Sequence, residues 1–345
     1  MSAQEALAKQ MKCLRASFSA NPWLWLVTIY TAMLAFHGIS ESDIPDFLRM
    51  ARNTTQIMEP VNRQFLYSSP LNYMIGDFLG MPTSFGFFFI HGAEIVAMLG
   101  TILLCVRKKF PANDEQIRFI AFLSLTPLWL VTLKWIGKPD PLLITMMFLC
   151  WAYPGRWRWL FVTVMVMAHR EMGSVMCLFL FAAEEKPDFS LIIPLLIGHA
   201  FHYLYENQIL DQHPSSRVDD IAVNIWRHPE EFAQKPVLYF VGSLSWYWIV
   251  ALWQRPTLRL CLVLTAAFGI AIVSEDFTRD FILMALAPLL FHLERVAKTP
   301  SAETLMRYLP LCLLQIQIAV NGIIFKPNNL WVDWMMGHLG DQLTR

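Results

Sequence analysis

Charge is scarce in this chain. Asp, Glu, Lys and Arg make up 16% of its 345 residues, where a soluble domain carries about 25%, so most of the folded surface cannot face water. The few charges also cancel, 27 basic against 27 acidic, which leaves no net field to draw nucleic acid. Cysteine is equally thin. Cys13, Cys105, Cys150, Cys177, Cys261 and Cys312 lie singly, with no CxxC or Cys/His spacing, so neither a disulfide frame nor a zinc site is indicated. Small inert thiols fit better. Internal repeats, low-complexity tracts and a separate soluble domain are all missing, and residues 1–345 read as one transmembrane domain.

What fills the chain is apolar material, 56% of the residues, in runs that match or approach the length needed to cross a bilayer core of about 30 Å. The runs predict membrane helices at about 22–39, 85–106, 118–136, 141–153, 158–169, 172–183, 189–206, 236–253, 258–273, 281–293 and 308–325. The expected fold is therefore all-α, a polytopic bundle of about 9–12 membrane helices. Met1 to Ala20 reads as a basic leader before an uncleaved first span.

Lys and Arg in the short connections set the orientation. Lys9, Lys12 and Arg15, then Arg107, Lys108 and Lys109, Arg156 and Arg158, Lys186, Arg255 and Arg259, and Arg295, Lys298 and Arg307 all fall on one side, which the positive-inside rule makes cytoplasmic. The two longest loops, 40–84 and 207–235, then lie outside with most of the carboxylates.

The first outer loop opens on "SESDIPDFLRMARN". Ile44, Phe47, Leu48 and Ala51 follow i, i+3, i+4, i+7 spacing, opposite Asp46, Arg49, Met50 and Asn53, so an amphipathic helix on the outer surface is expected. Asp43 and Asp46 can serve as caps near its start. Held at the lipid boundary, either is also suited to act as a general base.

Four further charge groups interrupt apolar runs, each costly unless paired or wet. They are His91 with Glu94, then Lys134, Lys138 and Asp140, then His169, Arg170 and Glu171, and last Glu275, Asp276, Arg279 and Asp280. Helix bridging explains the first group more simply than catalysis. The other three, with the opening helix and its Arg49, map to the outer side. There they form a mixed pocket suited to an anionic phosphate and a neutral reacting hydroxyl.

These motifs, in this order, resemble the GT-C class of integral-membrane glycosyltransferases. An acidic pair, Asp43 and Asp46, follows the first span, and "YSSPL" is similar to a Tyr-x-x-Pro stretch of many members. "KWIGKPDPLLITMMFLCWA" resembles the family's polar turn before an apolar run. "HREMGSVM" and "DFTRDFILMALAPLL" resemble its Arg-Glu and outer Asp/Arg turns. No large C-terminal soluble domain follows, and the acidic motif is Asp-Ile-Pro-Asp instead of a tandem pair.

The resemblance implies an inverting transfer of a sugar from a polyprenyl-phosphate donor to a glycan, lipid or protein acceptor on the extracytoplasmic face. Asp43, or second Asp46, would be the base. Arg49, Lys134, Lys138, Asp140, His169, Arg170, Glu171, Asp276 and Arg279 would bind substrate, with Lys138, Arg170 and Arg279 on the leaving phosphate. No cofactor is implied, and the class divides over need for a divalent cation (Mg2+ or Mn2+). A bacterial inner membrane is the expected setting. Rival readings are a lipid-linked glycan polymerase or ligase, and an acyltransferase built on His169. From a different class comes a secondary transporter using the His91/Glu94 and His169/Glu171 pairs.

Overall fold

A computed structural model describes residues 21–38, 69–79, 84–134, 138–209, 232–272, 274, 276–319 and 322–325. The fold is helical. Thirteen α-helices are defined among the described residues: α1 (Pro22–His37), α2 (Pro70–Phe78), α3 (Ser84–Lys109), α4 (Asn113–Ser124), α5 (Leu128–Lys134), α6 (Asp140–Ala152) and α7 (Trp157–Ala168), then α8 (Arg170–Ala183), α9 (Ile192–Leu204), α10 (Pro236–Leu244), α11 (Tyr247–Trp253), α12 (Leu258–Ala271) and α13 (Phe277–Ala297).

Local chemistry explains several boundaries. Asn21 accepts a hydrogen bond from the Trp23 N–H at 3.0 Å and Pro22 takes the first turn, where a missing N–H costs nothing. α1 stops at Gly38, whose φ of 64° suits a residue without Cβ. The last turn of α3 holds Arg107, Lys108 and Lys109, against the negative end of its dipole.

α13 is the axis of the fold. Its residues are buried almost all round from Phe277 to Ala297, as expected of a helix surrounded by other helices, and α4, α6, α8, α10 and α12 pack on it. α7 crosses α8 and α9 closely through two glycines. A Cβ on Gly173 would lie 2.3 Å from the Met165 carbonyl oxygen, and one on Gly198 would lie 2.6 Å from the Val166 Cβ.

Most expected spans coincide with helices, and three differ. The run 118–136 is two helices, α4 and α5, parted at Leu125–Pro127, where the Thr126 hydroxyl donates to the Leu123 carbonyl at 2.6 Å. The run 236–253 is α10 and α11, bent by 88° at Ser245, whose φ is 49°. The run 308–325 is not a helix. A 3-10 segment spans Pro300–Leu314, and an antiparallel hairpin, β1 (Gln317–Ala319) with β2 (Gly322–Phe325), follows it. Pro310 removes a donor there, and Gln315, Ile316, Gln317 and Ile318 alternate polar and apolar as a strand does.

Among the described residues one helix, Phe89–Lys109, is by itself long and apolar enough to cross a membrane, or two if the bent α10–α11 pair is one span. α6, α7 and α12 are apolar but shorter. Of the loop 40–84, α2 and the start of α3 are described, and the expected amphipathic helix lies outside the described residues. So does most of the loop 207–235.

Candidate functional site

Polar contacts gather at the two ends of the helices. At one end, Glu294 near the close of α13 meets Lys298 at 2.8 Å, Lys109 at 3.4 Å and the Trp151 indole N–H at 2.9 Å. Burial acts to raise the Glu294 carboxyl. The Lys298 hydrogen bond, the two lysine charges and the Trp151 N–H outweigh it and hold the group below its ordinary range. Nearby helix ends join the same layer: Arg158 pairs with Glu184 and donates to the Cys150 carbonyl at 2.7 Å, and Arg259 donates to the Ala182 carbonyl at 2.6 Å. The C-terminal ends of α3, α6, α8 and α13 thus meet the N-terminal ends of α7 and α12.

The opposite ends of those helices carry the charge groups singled out from sequence. Asp140, at the start of α6, has no exposure and Arg279, in the first turn of α13, has 5%. They form a fork: Arg279 Nε donates to Asp140 Oδ2 and Nη2 to Oδ1, both at 2.6 Å. Arg279 Nη1 also donates to Asp280 Oδ1 at 3.1 Å and lies 3.9 Å from Asp276 Oδ2. Lys138 Nζ donates to that same Asp276 oxygen at 3.0 Å. The Ser274 hydroxyl donates to Asp280 Oδ2. Burial pushes the Asp280 carboxyl up, while Arg279 pulls it back.

A second network occupies the α7–α8 turn at this end. His169 Nδ1 accepts from the Met172 N–H at 3.4 Å, capping α8, and lies 3.5 Å from Glu171 Oε2. Arg170 pairs with Glu206 and donates to Glu171 Oε1 at 3.1 Å. The Ser174 hydroxyl donates to the Arg170 carbonyl, so the His199 Nε2–H donates to Ser174 at 2.9 Å.

Sequence positions far apart thus meet. Lys138, Asp140, Asp276 and Arg279 form one connected cluster, although Lys138 and Asp140 bond to different partners on α13 instead of each other. His169, Arg170 and Glu171 form the other. Lys138, Arg170 and Arg279 are each engaged by carboxylates, so an anionic ligand must displace one, and Asp276, part-exposed and shared by Lys138 and Arg279, is the most displaceable. The Lys134 side chain lies outside the described residues, as do Asp43, Asp46, Arg49 and Glu275. Glu206 and Asp280 complete the two networks and were not among the expected site residues. A carboxylate in the apolar run "IGHAFHYLYENQI" was the available signal for Glu206.

Among the described residues no group of three His, Cys, Asp or Glu side chains could hold a metal ion. No family model, no curated protein and no solved structure matches the chain.

Proposed function

We propose that this protein is a polytopic membrane glycosyltransferase that takes a sugar from a polyprenyl-phosphate donor and passes it to a glycan, lipid or protein acceptor outside the cytoplasm. The observation that carries the reading is the meeting of Lys138, Asp140, Asp276 and Arg279 at the helix ends opposite the Glu294 layer. Buried cations that can exchange a carboxylate for a phosphate suit a lipid-phosphate leaving group.

The membrane part of the reading draws on exposed apolar side chains at helical spacing. They include Phe89, Val96 and Leu104 on α3, Ile192, Leu196, Ile197 and Leu204 on α9, and Leu258, Leu262 and Ile270 on α12. Such faces are stable against lipid and not against water. Basic residues dominate the Glu294 end, which by the positive-inside rule faces the cytoplasm. α1 runs from Asn21 past Tyr30, whose hydroxyl meets the Thr132 hydroxyl at 3.2 Å, and so leaves its bundle toward the Asp140 end. Asp43 follows Gly38 by five residues, a reach of at most about 18 Å.

In the proposed reaction the acceptor hydroxyl oxygen bonds to the anomeric carbon of the sugar as the bond from that carbon to the phosphate oxygen breaks. Asp43, or Asp46, takes the hydroxyl proton. The departing prenyl phosphate keeps the bonding electron pair, and Lys138, Arg170 and Arg279 stabilise its charge. Asp276 and Glu171 hold these cations until the donor arrives. Purified protein incubated with a panel of polyprenyl-phosphate sugars should release prenyl phosphate, and Asp43→Asn should stop the release without loss of insertion. Full transfer by both Asp43→Asn and Asp46→Asn would remove the base. Reporter fusions placing the Asp43 and Arg279 segments on opposite sides of a bacterial inner membrane would end the proposal.

A further inference from the structure

α3 holds two ionisable side chains that sugar transfer does not use. Glu94 sits five residues, about 8 Å, inside the apolar segment Phe89–Lys109, and His91 lies one turn before it, 4% exposed. His91 Nε2 is 3.1 Å from the Thr132 carbonyl oxygen. A carbonyl only accepts, so Nε2 carries the hydrogen and Nδ1 of the neutral ring presents a lone pair. That Nδ1 is 3.9 Å from Glu94 Oε2. Neither atom has a hydrogen-bond partner, and nor does the Oδ1 of Asn72, which is 4% exposed and whose side chain hydrogen-bonds Glu94. The Asn72 amide is thus the one donor that the described side chains bring to Glu94, and the facing acceptors Glu94 Oε2 and His91 Nδ1 have no donor between them, an arrangement that is strongly penalised while Glu94 is ionised.

Among the described residues the neighbouring elements do not supply a donor between Glu94 Oε2 and His91 Nδ1. α6 brings Asp140, a second negative charge, within electrostatic range of both residues. α1 brings Tyr30, occupied with Thr132, and the buried His37. α2 brings Asn72. The nearest arginine of α4, Arg118, is bound to the Ala297 carbonyl at the far end. Among the described side chains no lysine or arginine pairs with Glu94.

We propose that His91 and Glu94 form a buried proton-binding site, in which one proton bridges Glu94 Oε2 and His91 Nδ1. The proton makes the carboxyl a donor, cancels its charge beside Asp140 and satisfies both facing acceptors. A closing movement of about 1 Å brings the 3.9 Å separation to an ordinary hydrogen bond. Occupancy is tied to the neighbouring cluster. While Arg279 holds Asp140 the negative field at Glu94 is compensated, and any anion that draws Arg279 away strengthens the grip on the proton.

The test is infrared difference spectroscopy of the full chain in lipid nanodiscs, with pH stepped through the neutral range. Wild type should show the carbonyl band of a protonated, deuterium-sensitive carboxylic acid that vanishes as pH rises. Glu94→Gln should lack the band, His91→Gln should shift its frequency, and Asp140→Asn should move its titration to lower pH. If Glu94→Gln does not fold, Glu94→Asp, which draws the acid back from Nδ1, must shift the band instead. A neutral-pH spectrum with no Glu94 band, or one indifferent to His91→Gln, overturns the site. A band lost on adding sodium chloride but not choline chloride at fixed pH also overturns it, in favour of a sodium site.

Discussion

Arg279→Met should destabilise the protein more than Asp140→Asn, and the two together should cost less than their sum. Asp140 has no exposure, and Arg279 donates to both of its carboxylate oxygens. Removing the guanidinium strands a carboxylate in the interior, with only a helix N-terminus to offset it. Breaking a buried pair in this way costs about 3–5 kcal/mol. Removing the Asp140 charge is milder because Arg279 keeps Asp280 at 3.1 Å and Asp276 beyond it. The expected loss is about 1–3 kcal/mol. The double variant leaves neither a buried charge at 140 nor a guanidinium needing one, so the coupling should be about 2 kcal/mol, well above additivity error. Unfolding in mixed micelles with rising SDS, followed through the 13 tryptophans, measures each corner of the cycle. Equal single losses that add within about 0.5 kcal/mol would mean that the fork carries no coupling.

Asp276→Asn removes the carboxylate shared by Lys138 and Arg279, so an alkyl phosphate probe should bind about tenfold tighter, equivalent to about 1.4 kcal/mol. Unchanged or weaker binding by calorimetry would count against a phosphate site. Glu294, held below its ordinary range, contributes stability that is present above the unfolded carboxylate range and is lost as pH falls through its own depressed value. Thermal midpoints of Glu294→Gln should therefore lie below wild type at neutral pH and converge with it in acid, and parallel curves would refute this. Gly173→Ala forces backbone apart at the α7–α8 crossing and should cost about 1–3 kcal/mol. Gly198→Ala presses on the Cβ and Cγ1 of buried Val166 at 2.6 and 2.7 Å, a β-branched side chain fixed close to its backbone, and should cost a similar amount by the same melts.

The end of the bundle at which charges meet was legible because each charge interrupts an apolar run, and such interruptions are expensive enough to demand partners. Alternation of helix direction then assigns Asp140, Arg170 and Arg279 to one side. Their partners were not legible. A guanidinium at 279 can reach several carboxylates, and choosing Asp140 over the adjacent Asp276 depends on where α6 packs against α13, a matter of side-chain volume along both helices. The break in 118–136 was hidden for a related reason: Thr126 and Pro127 read as tolerable within a span, yet the buried threonine prefers its own backbone. In 308–325, apolarity and length were the wrong criteria for a segment that contains Pro310 and then alternates polar and apolar residues from Gln315 to Ile318.

Carboxylates of the cluster engage both Lys138 and Arg279. Had Lys138 and Arg279 stood open, the cleft would bind any small anion and would repel itself when empty. With three carboxylates around two cations, both cations are countered within the cluster and one carboxylate is in excess. Only a ligand that both replaces a carboxylate and gains burial elsewhere can enter at a profit. A phosphate attached to a long apolar chain meets that condition, because its tail contributes apolar burial that an inorganic ion cannot. The ordering follows directly: alkyl phosphates should outcompete inorganic phosphate by a factor that grows with chain length, and Asp276→Asn should narrow that preference by making the head group alone sufficient.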